Sequence, residues 1–242
     1  MREQNTDPTR IRANEPGRKI APAFVAIAVA LVSVSGFAAC ASLRGHGCTG
    51  GNCKSGVGEF RYENGDFYKG GFKNGKPNGQ GVYEFADGER YEGQLIEGVR
   101  DGQGEGRLPN GDVYKGQWKQ GQMFGRGEYR YANGDVYTGQ FKNNLPHGEG
   151  VMVYANGNRY EGEFREGKLT GKGRQTLANG AVYEGARVDG KREGRGTLVF
   201  SNGDKYVGEF KNDMRNGQGK YTRADGGVEQ GLWVNDHYIT TD

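Results

Sequence analysis

In this 242-residue chain the residues able to do chemistry are few, and their spacing limits what they can do. There are three cysteines, Cys40, Cys48 and Cys53, and three histidines, His46, His147 and His237. His46, Cys48 and Cys53 form the one group with metal-ligating side chains close together. A structural zinc needs four ligands, and no fourth follows here, so neither a metal nor another cofactor is expected. Three Gly-x-x-x-x-Gly-Lys strings, at 70–76, 162–168 and 185–191, imitate the start of a phosphate-binding loop. The next residues are Pro77, Leu169 and Arg192, where a Ser or Thr must hold magnesium, so the imitation fails. Asp66, Asp112, Asp135 and Asp204 each follow a glycine at the same place of a recurring segment. A catalytic carboxylate would be singular, whereas a residue present in most copies belongs to the architecture of the copy. With no Ser-His-Asp or Cys-His set implied by spacing, the chain reads as no enzyme.

The elements that place these residues come from a 23-residue repeat whose first copy is 56–78. The Gly-x-Gly pair returns at Gly56, Gly79, Gly102, Gly125, Gly148, Gly171, Gly194 and Gly217, and an Asn-Gly or Asp-Gly dipeptide keeps the same step. A Tyr-x-Gly follows at Tyr68, Tyr91, Tyr114, Tyr137, Tyr160, Tyr183 and Tyr206, with Glu229 in the eighth place. Eight copies without insertion imply one solenoid-like body in which each unit meets its neighbours alike. The 46 glycines and low mean hydropathy would suggest disorder in an aperiodic chain. Strict spacing of tyrosine against glycine excludes that reading.

Phe60 and Tyr62, and then Tyr68, Gly70 and Phe72, alternate with polar neighbours, which is strand periodicity in both arms. A two-residue turn at Asn64-Gly65 would put the two apolar sets on opposite faces, because a one-residue slip inverts every side chain. A three-residue loop, Glu63-Asn64-Gly65, instead pairs Phe60 with Tyr68 and Gly58 with Gly70, and gathers the rings on one side. Such a loop ends in a left-handed residue, and a glycine (Gly65, Gly88 and their counterparts) stands there in every copy. The expected fold is therefore all-β, an elongated twisted array of eight antiparallel hairpins with sixteen strands. Gly58, Gly70, Gly81, Gly93, Gly116, Gly139, Gly162, Gly185 and Gly208 form bare rungs on which the rings rest. The other face, with Glu59, Arg61 and Lys69, mixes both charge signs and reads as solvated surface.

Three segments follow: 1–39, 40–55 and 56–242. Arg18-Lys19 precede an apolar stretch at 20–39 that ends in Phe37-Ala38-Ala39-Cys40, the layout of a bacterial export signal. The end resembles a lipobox, with Cys40 acylated at the new N-terminus. An uncleaved membrane anchor and an ordinary signal-peptidase site are the alternatives. If Cys40 carries lipid, Cys48 and Cys53 remain as a pair for a disulfide in an oxidising compartment, on a tether at 40–55. The protein is then expected on a bacterial envelope membrane, facing the periplasm or exterior. Beyond 1–39 there are 28 basic and 27 acidic residues, a balance that gives no electrostatic reason to expect nucleic acid.

Two copies depart from the pattern. Gly106 replaces a ring close in sequence to Trp118, and Gln175 and Arg187 replace apolar residues in the sixth copy. Drift in a tolerant array accounts for both. The functional reading makes Gly106, Trp118, Gln175 and Arg187 candidate partner contacts, a notch and a polar break. The last residues, from Trp233 onward, resemble a polar end cap.

The string Tyr-Glu-Gly-x-Phe-x-x-Gly-x-x-x-Gly-x-Gly at 160–173 resembles the MORN (membrane occupation and recognition nexus) repeat, and the resemblance spans about 56–238. It implies twisted chains of hairpins and a binding role toward protein or membrane, and it implies no catalysis by the repeats. Envelope proteins are the expected partners, with phospholipid binding through exposed aromatics as the alternative.

Overall fold

The computed structural model describes residues 46–240. The leader at 1–39, the membrane anchor and the lipidation at Cys40 lie outside the described residues.

Among the described residues there are eighteen strands and no helix. The first six are β1 (Gly47–Gly51), β2 (Gly56–Arg61), β3 (Phe67–Lys73), β4 (Lys76–Glu84), β5 (Arg90–Ile96) and β6 (Val99–Arg107). The next six are β7 (Val113–Lys119), β8 (Gln122–Arg130), β9 (Val136–Lys142), β10 (Leu145–Val153), β11 (Arg159–Arg165) and β12 (Lys168–Thr176). The last are β13 (Val182–Val188), β14 (Lys191–Val199), β15 (Lys205–Lys211), β16 (Met214–Thr222), β17 (Val228–Val234) and β18 (His237–Tyr238). Each pairs antiparallel with the strand before and after it, so the sheet is an uninterrupted meander.

The expected register is present. Phe60 faces Tyr68 and Gly58 faces Gly70. The three-residue loop closes through Tyr62 N donating to Asp66 O (2.9 Å) and Gly65 N to Tyr62 O (3.0 Å), with Gly65 at φ +95°. The opposite rim holds a second turn that the strand alternation does not show. Lys73 pairs with Lys76 across Asn74-Gly75, both at positive φ, a two-residue type I′ turn. The supposed phosphate-loop strings are these turns.

Beside each two-residue turn the ladder slips. Gly70 faces Gly81 but Phe72 faces Pro77, so three residues of β4 oppose one of β3. A bulge of this kind bends and twists the strand. The bend is visible in the rings: Tyr68 and Phe72, about 13 Å apart along an ideal strand, have centroids 5.1 Å apart. The sheet is thus creased along its glycine rungs, and the crease lets one sheet enclose a core. Tyr68, Tyr91, Tyr114, Tyr137, Tyr160 and Tyr206 are 0 % exposed. An isolated hairpin is marginal in water. Burying one such side chain contributes about 1.5–3 kcal/mol, gained only when neighbouring copies close over it.

Both rims are stitched from copy to copy. At the three-residue loops Asp66 Oδ1 accepts from Ala86 N (2.9 Å), and Asp112, Asp135 and Asp204 repeat the bond to Ala132, Ala155 and Ala224. At the two-residue turns Gly98 N donates to Pro77 O (2.8 Å), and Gly121, Gly167 and Gly190 do likewise to Arg100, Pro146 and Leu169.

The N-terminal end differs from expectation. The tether assigned to 40–55 contains β1, which pairs with β2, because the Cys48–Cys53 bond (S–S 2.12 Å) turns the chain back onto the array. A Cβ on Gly58 would lie 2.9 Å from Cys53 Sγ, so the sulfur occupies the place a ring takes in later copies. At the other end, Ile239 N donates to Leu232 O (2.9 Å) and Tyr238 Oη to Gln230 O (3.0 Å), covering the edge of β17.

Candidate functional site

Each recurring tyrosine lies across two bare rungs. A Cβ built on Gly70 or Gly81 would come within 2.4 or 2.3 Å of the Tyr68 hydroxyl, and Gly93 and Gly104 meet Tyr91 in the same way. The hydroxyl reaches past the rung to donate to a backbone carbonyl, Tyr68 to Gly71 (2.9 Å) and Tyr91 to Gln94 (2.8 Å). Burial pushes Tyr68, Tyr91, Tyr160 and Tyr206 up to about 12. Gly116, Gly139, Gly162, Gly185 and Gly208 sit likewise against the rings of Tyr114, Tyr137, Tyr160, Tyr183 and Tyr206. Edge-to-face contacts then run along the axis: Tyr114 meets Trp118 (5.1 Å) in its own copy and Phe141 (4.9 Å) in the next. Tyr137 does the same with Phe141 (5.1 Å) and Phe164 (4.9 Å).

The four candidate partner contacts are all inside. Gly106 is buried, and a Cβ there would lie 3.1 Å from the Trp118 ring, so no notch exists. Trp118 is 4 % exposed and donates Nε1–H to Gly104 O at 3.1 Å. Elsewhere a ring at the place of Gly106 bonds the rim aspartate, as Tyr129 does to Asp112 (2.7 Å). In the copy of Gly106, Glu89 stands at the aspartate's place and meets Arg100 at 2.7 Å, both buried. Arg100 stacks 4.9 Å from the Trp118 centroid. Gln175 and Arg187 are buried and bonded to each other, with Arg187 Nη1 donating to Gly190 O (2.6 Å). Arg187 lies over Tyr160 (5.7 Å) and Tyr183 (5.2 Å), in the slot that Phe164 and Phe210 fill in adjacent copies. One core of buried residues ends at Phe164 and a second begins at Tyr183, so this polar layer divides them.

The aromatics required for lipid contact are buried or half-buried. Phe124 (41 %) is the exposed ring among the described residues. Rings that close the crease are turned from solvent, so aromatic contact with a lipid would fall to Phe124 and the half-buried rings.

The open concavity is on the face read from sequence as plain solvated surface. From β4 to β11 that face forms a groove of about 1200 Å³. Its floor carries Gln103, Gln117, Arg126, Gln140, Glu149 and Glu161. Gln117 Oε1 accepts from Arg126 N (3.0 Å) and fills the space over Gly125, whose φ is +61°. The same clasp joins Gln94 to Gln103 N (2.8 Å) over Gly102, and a Gln or Glu side chain also lies over the first glycine of the pair at Gly148, Gly171 and Gly217. Many groove charges are paired locally, Arg90 to Glu92 (2.8 Å), Arg107 to Glu105 (2.6 Å) and Arg159 to Glu161 (2.7 Å). Among the described residues no three of His, Cys, Asp and Glu gather as a metal site. No helix among them is long and apolar enough to cross a membrane.

A creased single sheet of stitched hairpins, with its rings enclosed and one polar face open, defines a repeat protein of the interaction type. The MORN repeat profile matches seven consecutive units, 68–90, 91–113, 114–136, 137–159, 160–182, 183–205 and 206–228, and the chain belongs to the MORN repeat family. These units run from tyrosine to tyrosine, so the hairpin before Tyr68 and the strand after Val228 are partial copies at each end. MORN repeats are in general modules of protein interaction and membrane association.

Among curated proteins nothing matches the chain. It is similar to the TCP domain of SAS-4 (dCPAP) of Drosophila melanogaster, solved with a proline-rich motif of Ana2. That likeness has 13 % identity and TM-score 0.43, over 74 % of this chain and 99 % of that one. The TCP10 domain of Danio rerio CPAP, solved with a peptide of STIL, gives 15 % identity and TM-score 0.35, over 73 % and 74 %. Virginiamycin B lyase of Staphylococcus aureus gives 7 % and 0.18, over 75 % and 71 %. Likeness at this level carries no functional argument.

Proposed function

We propose that the protein is a non-catalytic scaffold of the bacterial cell envelope, held to a membrane by lipid on Cys40 and presenting its array to protein partners. One observation carries this reading. The residues that recur with the repeat are taken up by the core and the rims, which leaves a continuous polar face open to partners. The leader-like segment before Cys40 supports the membrane attachment, and the Cys48–Cys53 bond suits an oxidising compartment. Metabolic labelling with a fatty-acid analogue tests the anchor. Label is expected on the wild type and absent from Cys40→Ala, and equal labelling rejects the lipid. Flotation of Cys40→Ala protein with phospholipid vesicles tests the rival. Co-flotation would transfer the interaction from protein to lipid.

A further inference from the structure

The groove has a polarity that suggests its occupant. Lys115 on β7 and Arg126 on β8 line one part, and Glu149 on β10 and Glu161 on β11 line the part beyond. Lys115 is 4.0 Å from Glu105, and Glu161 is bonded to Arg159. Arg126 and Glu149 are exposed, and among the described residues neither has an oppositely charged group within 4.0 Å. They flank Gln140, which pairs with Arg126 across β8 and β9. Two strand spacings separate them, about 10 Å, which an extended chain covers in about three residues. Gln117 has its carbonyl engaged by Arg126 N, so its –NH2 remains as a donor for a backbone carbonyl of a ligand.

We propose that this groove binds an extended polypeptide segment with an acidic residue and a basic residue about three positions apart, the acid on Arg126 and the base on Glu149. The proposal rests on the scaffold reading and names the chemistry of the partner. The groove crosses eight strands, from β4 to β11, about 34 Å at ordinary strand spacing and room for about ten extended residues. Its near balance of charge opposes a polyanion. A sugar polymer would want a ring to stack on, and no aromatic side chain lines this groove. Charge complementarity of this kind acts mainly on specificity and encounter rate.

The test is fluorescence anisotropy of the full-length protein with three labelled twelve-residue peptides of equal length: one with Asp and Arg three apart, one with both acidic, one with both basic. The mixed peptide is expected to bind at least tenfold more tightly than the others and to weaken with salt. Arg126→Glu and Glu149→Arg should each lose about tenfold, and the double swap should recover it with the peptide reversed. Both positions are exposed, so unchanged melting serves as the folding control. Equal binding of the three peptides, or single swaps without effect, overturns the proposal. Self-association lost in Arg126→Glu also overturns it, in favour of a second copy as occupant. A photo-crosslinking residue at Gln103 and another at Val228, used in cells, separates the two levels. Protein adducts from Val228 alone would overturn the groove and leave the scaffold standing, whereas adducts from neither position would reject both.

Discussion

Substituting Gly127 by alanine tests the packing on which the fold depends. Gly127 lies in β8 with ordinary backbone angles, so a methyl group there should by itself be neutral or stabilise by about 0.4–1 kcal/mol. The structure predicts the opposite. The new Cβ would lie 2.5 Å from Tyr114 Cε2, 2.6 Å from its hydroxyl and 2.7 Å from Cζ. Tyr114 cannot retreat, being 0 % exposed and in edge contact with Trp118 and Phe141. Overpacking costs about 1–3 kcal/mol. Loss of the hydrogen bond from Tyr114 Oη to Gln117 O (2.8 Å) adds about 1 kcal/mol. The net expectation is about 1–4 kcal/mol, a fall of roughly 2–15 °C in Tm for a chain of this size. Urea and thermal denaturation followed by tryptophan fluorescence measure it, with Trp118 beside the affected ring. Tyr114→Ala alone should cost about 3–5 kcal/mol. In that background Gly127→Ala should cost under about 0.5 kcal/mol, because the clashing atoms are gone. A cost below about 0.5 kcal/mol in the wild type, or additive losses in the double variant, would refute rings resting on bare rungs.

Two further outcomes are expected. Tyrosines of an unfolded chain ionise near pH 10, whereas burial holds Tyr68, Tyr91, Tyr160, Tyr206 and Tyr221 neutral up to about 12. The folded values are the higher, so their contribution is whole below pH 10 and is lost as pH climbs toward 12. Tm should be level into pH 9–10 and then drop, and phenolate absorbance that rises at pH 10 with Tm unchanged contradicts this. At the polar layer, Gln175→Leu alone removes the side-chain acceptor of Arg187 Nη2 and should destabilise by about 1–3 kcal/mol. Gln175→Leu with Arg187→Phe should be neutral or stabilising by about 1–4 kcal/mol and sharpen urea unfolding, since it continues the rings between the two cores. A double variant as unstable as the single rejects that account.

Sequence and structure agree where a single face had to be made consistent. The loop Glu63-Asn64-Gly65 could be derived because any shorter turn would have split Phe60 from Tyr68. The opposite turn, Asn74-Gly75, is equally visible as letters, but its Gly-Lys sequence coincides with the start of a nucleotide motif. The bulge beside it breaks the alternation on which strand reading relies. Comparing equivalent places down the copies exposes the buried Arg100 and Arg215 and the half-buried Arg192, which share a place with Pro77, Met123 and Leu169. Gly106 misled because its missing ring is supplied by Trp118 of the next strand, a contact made by the crease and absent from any spacing rule. The groove was not legible for a similar reason. Its lining residues are ordinary surface types, and only bending of the sheet draws seven strands' worth of spacing into one concavity.

The stitches at the two rims tie each loop to the one a full period earlier. Lengthening or trimming a copy by a few residues would put every later aspartate and turn amide out of step with its acceptor, while adding or removing one whole unit leaves all the joints intact. The molecule can therefore change its reach only by fixed increments, like links in a chain gauge, and the distance it bridges is counted by its genome in whole units.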